Sequence, residues 1–324
     1  MNNVVVVLTS KNNYKLLDKL WLPNSSISSV PVINVDVGSS AENIRRGKDL
    51  CAKHDIIFVE LGDPSMQHCM AAACERAKSL GAKFIIYFHQ DSWPYRPEFW
   101  AEFDCFVGSG LVDRFGTIGF NCLSTDALRN YHSDIKKLKR GKTPIGIIGR
   151  TTKGLHWIGG FQTKKIKAIP VAKYRSPFAV EITAYFAIAI NINLFESLIV
   201  PDRSFGLFFA FDDLSYQFLE RNTYNLVLPN WYILHRPDLK PSIGMPRSIT
   251  KEAVSEAMSG KVKIAPKWGD HQEAWYNKWG WYWKYPKTIS KAIGKYTGTL
   301  IHRFYYHDNY RGPLKVFKLG TNNG

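Results

Sequence analysis

The sequence predicts an α/β protein: a mixed, mostly parallel central sheet flanked by helices, with a basic, aromatic-rich extension at the C-terminus. Three observations carry this. Residues 1 to 125 alternate between strand and helix signals at a spacing that implies βαβ units. The stretch KFIIYFHQDS at residues 83–92 runs apolar and β-branched, as a strand buried on both faces does, and then stops on the carboxylate Asp91. The last 78 residues carry 14 Lys/Arg against 5 Asp/Glu, a net +9, within a chain whose formal net charge is +16.

The elements follow in order. Val4 to Leu8 reads as a short buried strand. Tyr14 to Leu20 is helical, with Leu16, Leu17 and Leu20 at helical spacing. Val30 to Val37 is a strand closed by Gly38, and Ser39 or Ser40 caps a helix to about Lys53. Asp55 to Leu61 is a third strand. Pro64 opens a helix that Gly81 stops, and its alanines permit close packing. Lys83 to His89 is the fourth strand. Phe103 to Val107 and Thr117 to Phe120 read as short strands, and residues 125–142 as a polar helix with a basic end. Residues 143–175 read as loops and short strands around an opening. Val180 to Ile192 crosses the sheet. Short helices follow at Asn193 to Leu198 and Phe211 to Arg221, and a strand runs from Leu226 to Leu234 up to His235. Three prolines between Pro237 and Pro246 mark a boundary, giving domains 1–240 and 241–324.

Composition excludes several classes. Apolar residues at 45% and aromatics at 14% indicate a globular protein. The longest apolar run, Phe178 to Ile192, is interrupted by Glu181 and Asn191, too short to span a membrane. MNNVVVVLTS reads as a strand rather than a secretion signal, which places the chain in a cytoplasm. Five cysteines without a CxxC pair read as buried thiols rather than a disulfide framework or zinc site. The phosphate-binding patterns GxxxxGK[ST] and GxGxxG and the nucleophile elbow GxSxG are absent. In the tail, five of the ten tryptophans fall between Trp268 and Trp283, interleaved with tyrosines and lysines. Such a segment either docks on the preceding domain or offers a surface for sugars, bases or lipid headgroups. The basic charge points to an anionic partner.

Four pieces occur in a telling order. The first strand ends in Thr9 and Ser10. VINVDVGSS places Asp36 at a strand end before a Gly38-Ser39-Ser40 turn. YFHQDS places His89, Gln90 and Asp91 after the fourth strand. Phe211, Asp212 and Asp213 enter a late helix, and the next strand closes on His235. Over residues 3 to 238 this order resembles the GT-A nucleotide-sugar glycosyltransferases of family 2, a Rossmann-like fold. The resemblance implies that Asp36, with Thr9, Gly38 and Ser39, contacts the nucleotide. It implies that HQD stands for the family's DxD motif, with Asp91 as the metal-binding acid, His89 in the place of the first acid and Gln90 between them. Asp213, or else Asp212, becomes the general base on the acceptor hydroxyl, and His235 completes the metal site. The family often carries an Arg-Asn pair in the helix before the DxD strand. Here that region reads HCMAAACERA, with Gln67 or His68 as the substitute.

The resemblance thus implies an inverting transferase that uses Mn²⁺ or Mg²⁺ and a nucleotide-diphosphate sugar, one acid plus imidazole favouring Mn²⁺. Bland roles exist for each residue: Asp91 capping the following turn, Asp36 capping the next helix, Asp212 and Asp213 as N-terminal helix acids, His235 as an ordinary strand end. The expected acceptor is a surface polysaccharide or lipid-linked glycan, with peripheral attachment to an anionic membrane as a role for the tail. Two alternatives stand beside it: a phage-type enzyme that glycosylates hydroxymethylated DNA, and a non-catalytic module that binds glycan or nucleic acid.

Overall fold

The computed structural model describes residues 3–27, 30–62, 65–124, 177–180, 183, 186–205, 210–245 and 278. The expected helix at 125–142, the loops at 143–175 and, apart from Lys278, the tryptophan-rich tail lie outside them. The strands are β1 (Val4–Ser10), β2 (Val32–Val37), β3 (Ile57–Leu61), β4 (Phe84–Phe88), β5 (Ser92–Pro94), β6 (Phe115–Ser124), β7 (Phe178–Val180), β8 (Ala187–Asn191) and β9 (Tyr224–His235). The helices are α1 (Tyr14–Leu16) and α2 (Leu22–Asn24), joined by a π-helical turn at Leu17–Trp21, then α3 (Ala41–Lys53), α4 (Met66–Ser79), α5 (Phe99–Gly108), α6 (Ile192–Leu198) and α7 (Ala210–Glu220). A 3₁₀ helix at Pro237–Ile243 follows β9.

Among the described residues, one sheet holds all nine strands in the order β3-β2-β1-β4-β8-β6-β9-β5, with β7 also on β9. The pairings β1·β2, β1·β4, β2·β3 and β6·β9 are parallel, and those of β8, β5 and β7 are antiparallel. Six strands therefore run one way and three the other, which is the mixed, mostly parallel sheet expected.

Each strand's pleat sends alternate side chains to two covered faces. Val5, Val7, Ile33, Val35, Ile85 and Tyr87 meet α4, α6 and α7. Val4, Val6, Leu8, Phe84, Ile86 and Phe88 meet the π-helical turn, α3 and α5. All five β4 residues are at most 2% exposed. Burying each such side chain contributes about 1.5–3 kcal/mol. Helix α3 is capped as expected, the Ser40 hydroxyl accepting from Asn43 N, while α4 begins at Met66 under a Ser65 cap whose hydroxyl accepts from His68 N.

Two expectations need correction. Phe103 to Val107 is not a strand but part of α5. Its apolar residues Phe99, Phe103 and Val107 recur at a helical interval and cover the sheet, whereas a period of two would have needed alternation. Nor are all cysteines buried: Cys105 lies on the exposed side of α5, while the other four are buried, and all five are free.

The sheet is curled where the site lies. Four strand spacings separate β4 from β5, about 19 Å if flat. The chain crosses from Phe88 to Ser92 in four residue steps, at most about 14 Å. The far half must therefore fold back toward β4, and the register shift between Phe120 and Asn121 in β6·β9 supplies the irregularity.

Candidate functional site

Topology gathers the candidate residues at one rim. Parallel strands β4 and β9 end at Phe88 and His235. The next residues after β4 are His89, Gln90 and Asp91, and β5 pairs Ser92 directly with His235. The Asp91 carbonyl accepts from Arg236 N at 2.7 Å, which ties the two strand ends together. Helix α7 runs into β9 and so opposes it in direction, which puts Ala210 to Asp213 at the same rim. Helix α4 follows β3 and begins there for the same reason, bringing Gln67.

The first cluster surrounds Asp91. Asp91 Oδ2 lies 3.3 Å from His235 Nε2 and 2.6 Å from Lys240 Nζ, and Oδ1 lies 3.9 Å from His89 Nδ1. One ligand atom each from His89, Asp91 and His235 falls within 4.8 Å of the others. Phe186 stacks on the His235 ring at 4.2 Å and meets the His89 ring edge-on, fixing both imidazoles. Burial pushes the His89 pKa down, against the pull of Asp91, to about 4, with His235 and Lys240 adding to the fall. His89 is therefore neutral at neutral pH and keeps a lone pair. Burial acts to raise the Asp91 carboxyl, but the His235 hydrogen bond and the neighbouring positive groups hold it well below the usual carboxylate range. Burial, then the Asp91 charge, pushes the Cys122 thiol well above its ordinary value, which keeps that neighbour protonated.

The set fits a divalent ion. Ligands about 2.1 Å from an ion lie up to about 4.2 Å apart. Side-chain rotations of a few tenths of an ångström close the 4.8 Å spread. Two imidazoles and one carboxylate suit Mn²⁺ among hard cations, because nitrogen ligands are poorly used by Mg²⁺.

The second cluster surrounds Asp213, which is fully buried. Its Oδ2 accepts from Gln67 Nε2 at 2.7 Å, Gln217 Nε2 at 2.8 Å and Lys278 Nζ at 3.0 Å. Lys278 also pairs with Asp202 at 2.9 Å. Gln67 uses every polar atom, donating to the Ala210 carbonyl and accepting from Asp202 N. His68, by contrast, turns to Ser65 at 2.7 Å and helps cap α4, so Gln67 is the member of that pair that enters the rim. A cavity of about 330 Å³ opens beside this cluster, lined by Asp202, Arg203, Gln217, Glu220, Arg221 and Lys278 among others. Asp212 is buried in the same first turn. The two clusters are bridged by rings: Tyr87 meets His89 at 5.7 Å and Phe211 at 4.9 Å, and its hydroxyl lies 3.5 Å from Thr9 Oγ1.

Asp36 is engaged within the fold. It is fully buried. Its Oδ1 accepts from Gly38 N and Ser39 N at 3.1 and 2.9 Å, and its Oδ2 accepts from the Tyr14 hydroxyl. Gly38 has φ 87°, which this turn requires. Gly47 lets α3 pass over the Tyr14 ring, where a Cβ would collide. Asn12 ties the turn down through the Ser39 hydroxyl and Ser40 N, both at 2.8 Å. Gln90 points into a buried chain, donating to Ser10 Oγ at 2.7 Å, which donates to Asn34 Oδ1 at 2.7 Å.

Lys240, Gln217, Lys278 and Tyr14 are not among the site residues expected from the sequence. For two of them a signal existed. Gln217 stands four residues after Asp213, on the same helix face. Lys240 closes HRPDLK, where Pro237 turns the chain straight after His235. Nothing local marks Lys278 or Tyr14.

No family model matches the chain, and no curated protein does. Among solved structures, the chain is similar to GalNAc-T7 with UDP, GalNAc and Mn²⁺, at 12% identity, 86% coverage of this chain, 57% of that one and TM-score 0.45. It is similar to the mannosyltransferase PcManGT from Pyrobaculum calidifontis in complex with GDP-Man and Mn²⁺, at 12% identity, 95% and 82% coverage and TM-score 0.45. S. aureus TarS 1–349 follows at 9% identity, 95% and 82% coverage and TM-score 0.46. The chain thus spans little more than half the length of the GalNAc-T7 chain. Functional roles rest on this chain's own side chains. Among the described residues, no helix is long and apolar enough to cross a membrane.

Proposed function

We propose that this chain is a glycosyltransferase that moves a sugar from a nucleotide-diphosphate donor to a hydroxyl acceptor, with inversion, in the synthesis of a surface polysaccharide or lipid-linked glycan. The observation that carries the reading is the rim itself: the trio His89, Asp91 and His235 by the ends of β4 and β9, joined through the Tyr87 and Phe211 rings to the first turn of α7 with its paired acids.

Asp91, His89 and His235 hold a divalent ion, Mn²⁺ in preference to Mg²⁺. Such an ion supplies electrostatic stabilisation of the charge that develops on the leaving diphosphate. Phe186 holds both imidazoles in place for it. The nucleotide lies across the ends of β1 and β2. Thr9 and Ser39 border it, and Asp36 acts by shaping the Gly38-Ser39 turn rather than by direct contact. Gln90 braces the loop that presents Asp91. Asp213 takes the proton from the acceptor hydroxyl, while Gln67 and Gln217 fix the direction of its carboxylate. A single base acting opposite the leaving group gives inversion at the anomeric carbon. The basic tail holds an anionic acceptor or membrane face on the cytoplasmic side.

The test is release of nucleotide from a donor panel with Mn²⁺, beginning with UDP- and GDP-sugars, because the similar solved structures hold UDP and GDP-Man. Release by the wild-type chain that disappears in Asp91→Ala is expected. Absence of release from every donor, with no Mn²⁺ bound, overturns the reading. Sugar incorporated into hydroxymethylated DNA would move the acceptor to nucleic acid.

A further inference from the structure

Asp91 already holds a cation. Lys240 Nζ lies 2.6 Å from Asp91 Oδ2, closer than either imidazole nitrogen comes to that carboxylate. The lysine rises from a firm base. Its 3₁₀ helix begins at Pro237, contains Pro241, and closes at Gly244 in a left-handed conformation. Leu239 and Ile243 anchor that helix against Leu16, Leu20 and Trp93. The lysine side chain is 20% exposed, so its ammonium is largely enclosed with the carboxylate. The neighbouring cation, Arg236, is bound to Asp238 through contacts of 2.8 to 3.1 Å.

A second cation placed beside the oxygen that Lys240 holds is disfavoured, because like charges a few ångströms apart repel strongly near a protein surface. A lysine ammonium is a point charge on a flexible stem. It can leave one oxygen for another a few ångströms away without moving its helix. The incoming diphosphate brings such oxygens to the same place.

We propose that Lys240 is the counter-ion of Asp91 when no divalent ion is bound, and that it yields the carboxylate to the divalent ion and transfers its ammonium to the donor's diphosphate. The inference rests on the metal-site reading above. It makes Lys240 a diphosphate-binding residue and couples donor binding to metal binding. Its signature is a reversal of sign that a merely structural lysine would not produce. The residue opposes the metal alone and favours the diphosphate once the metal is present.

The experiment titrates Mn²⁺ alone by electron paramagnetic resonance. It then titrates ADP, GDP, CDP and UDP at saturating Mn²⁺ by calorimetry. The proteins are wild type, Lys240→Met, Lys240→Gln, Lys240→Arg and Asp91→Ala, each checked by circular dichroism. Lys240→Met and Lys240→Gln should bind Mn²⁺ at least tenfold more tightly than wild type, and the preferred nucleoside diphosphate at least tenfold more weakly. Lys240→Arg should stay near wild type in both. Unchanged or weaker Mn²⁺ binding in the neutral variants overturns the inference, as does undiminished diphosphate binding. If wild type binds Mn²⁺ and Asp91→Ala does not, such a result leaves the metal site standing. If no protein binds Mn²⁺, the metal site and this inference fall together.

Discussion

Asp91 and Asp213 are buried at one rim and each meets a lysine, yet their surroundings differ in kind. Asp91 sits among imidazoles, whose nitrogens serve either as donors or as metal ligands. Asp213 sits among primary amides from Gln67 and Gln217, which can only donate to it through Nε2. The first environment can exchange its cation, while the second is a fixed cradle that keeps a carboxylate pointed one way. A site that must load an ion and then remove a proton needs one of each. The rings of Tyr87 and Phe211 keep the two apart.

The sharpest break of this comparison is at the base. Asp213→Asn should lower transfer by about 10²- to 10⁴-fold. Donor hydrolysis with Mn²⁺ should persist, because the cation cluster is untouched. If Asp212→Asn produces that loss and Asp213→Asn does not, the base is the neighbouring acid and Asp213 belongs to the cradle alone.

Next comes Asp91→Ala, which should cost on the order of 10²- to 10³-fold in nucleotide release and abolish Mn²⁺ binding. Equal loss of Mn²⁺ binding in Asp213→Asn would erase the distinction between the clusters.

A smaller effect tests the cradle as structure. Gln67→Ala takes one of three donors from Asp213 Oδ2, a donor from the Ala210 carbonyl and the acceptor from the part-buried Asp202 N. It should destabilise the fold by about 2–4 kcal/mol in urea melts. Gln90→Ala, which removes one hydrogen bond to Ser10, should cost about 1 kcal/mol.

The gentlest test is pH. His89 has its pKa lowered from 6.5 to about 4 in the folded chain. Between those values the unfolded chain binds a proton that the native one refuses, so stability should fall as pH drops from about 6.5 toward 4. His89→Phe should flatten that limb of the stability curve. The depressed Asp91 carboxyl acts in the same direction at lower pH, below its unfolded value of 3.8. A wild-type curve with no slope between pH 4 and 6.5 would show that the His89 ring is not held neutral.

Much of the first half was legible because its signals are local. The runs at β1, β2 and β4 are long, apolar and ended by polar residues, and a serine caps α3. The α5 segment misled because Phe103 to Val107 is short, and a short apolar run fits either period. Asp91 and His235 were visible as strand ends. Their meeting was not, because it depends on Ser92 pairing with His235 across a curled sheet.

The chain's order of residues determined which strands are buried on both sides, where the helices start, and which polar groups fall at strand ends. These follow from side-chain spacing within a dozen residues. Only the folded arrangement decided who faces whom: Lys240 against Asp91, Gln67 against Asp213 across 146 residues, Tyr14 against Asp36. Those partners are chosen by sheet curvature and helix direction. Such properties belong to the packed layers as a whole, because no short stretch of chain contains both members of the pair.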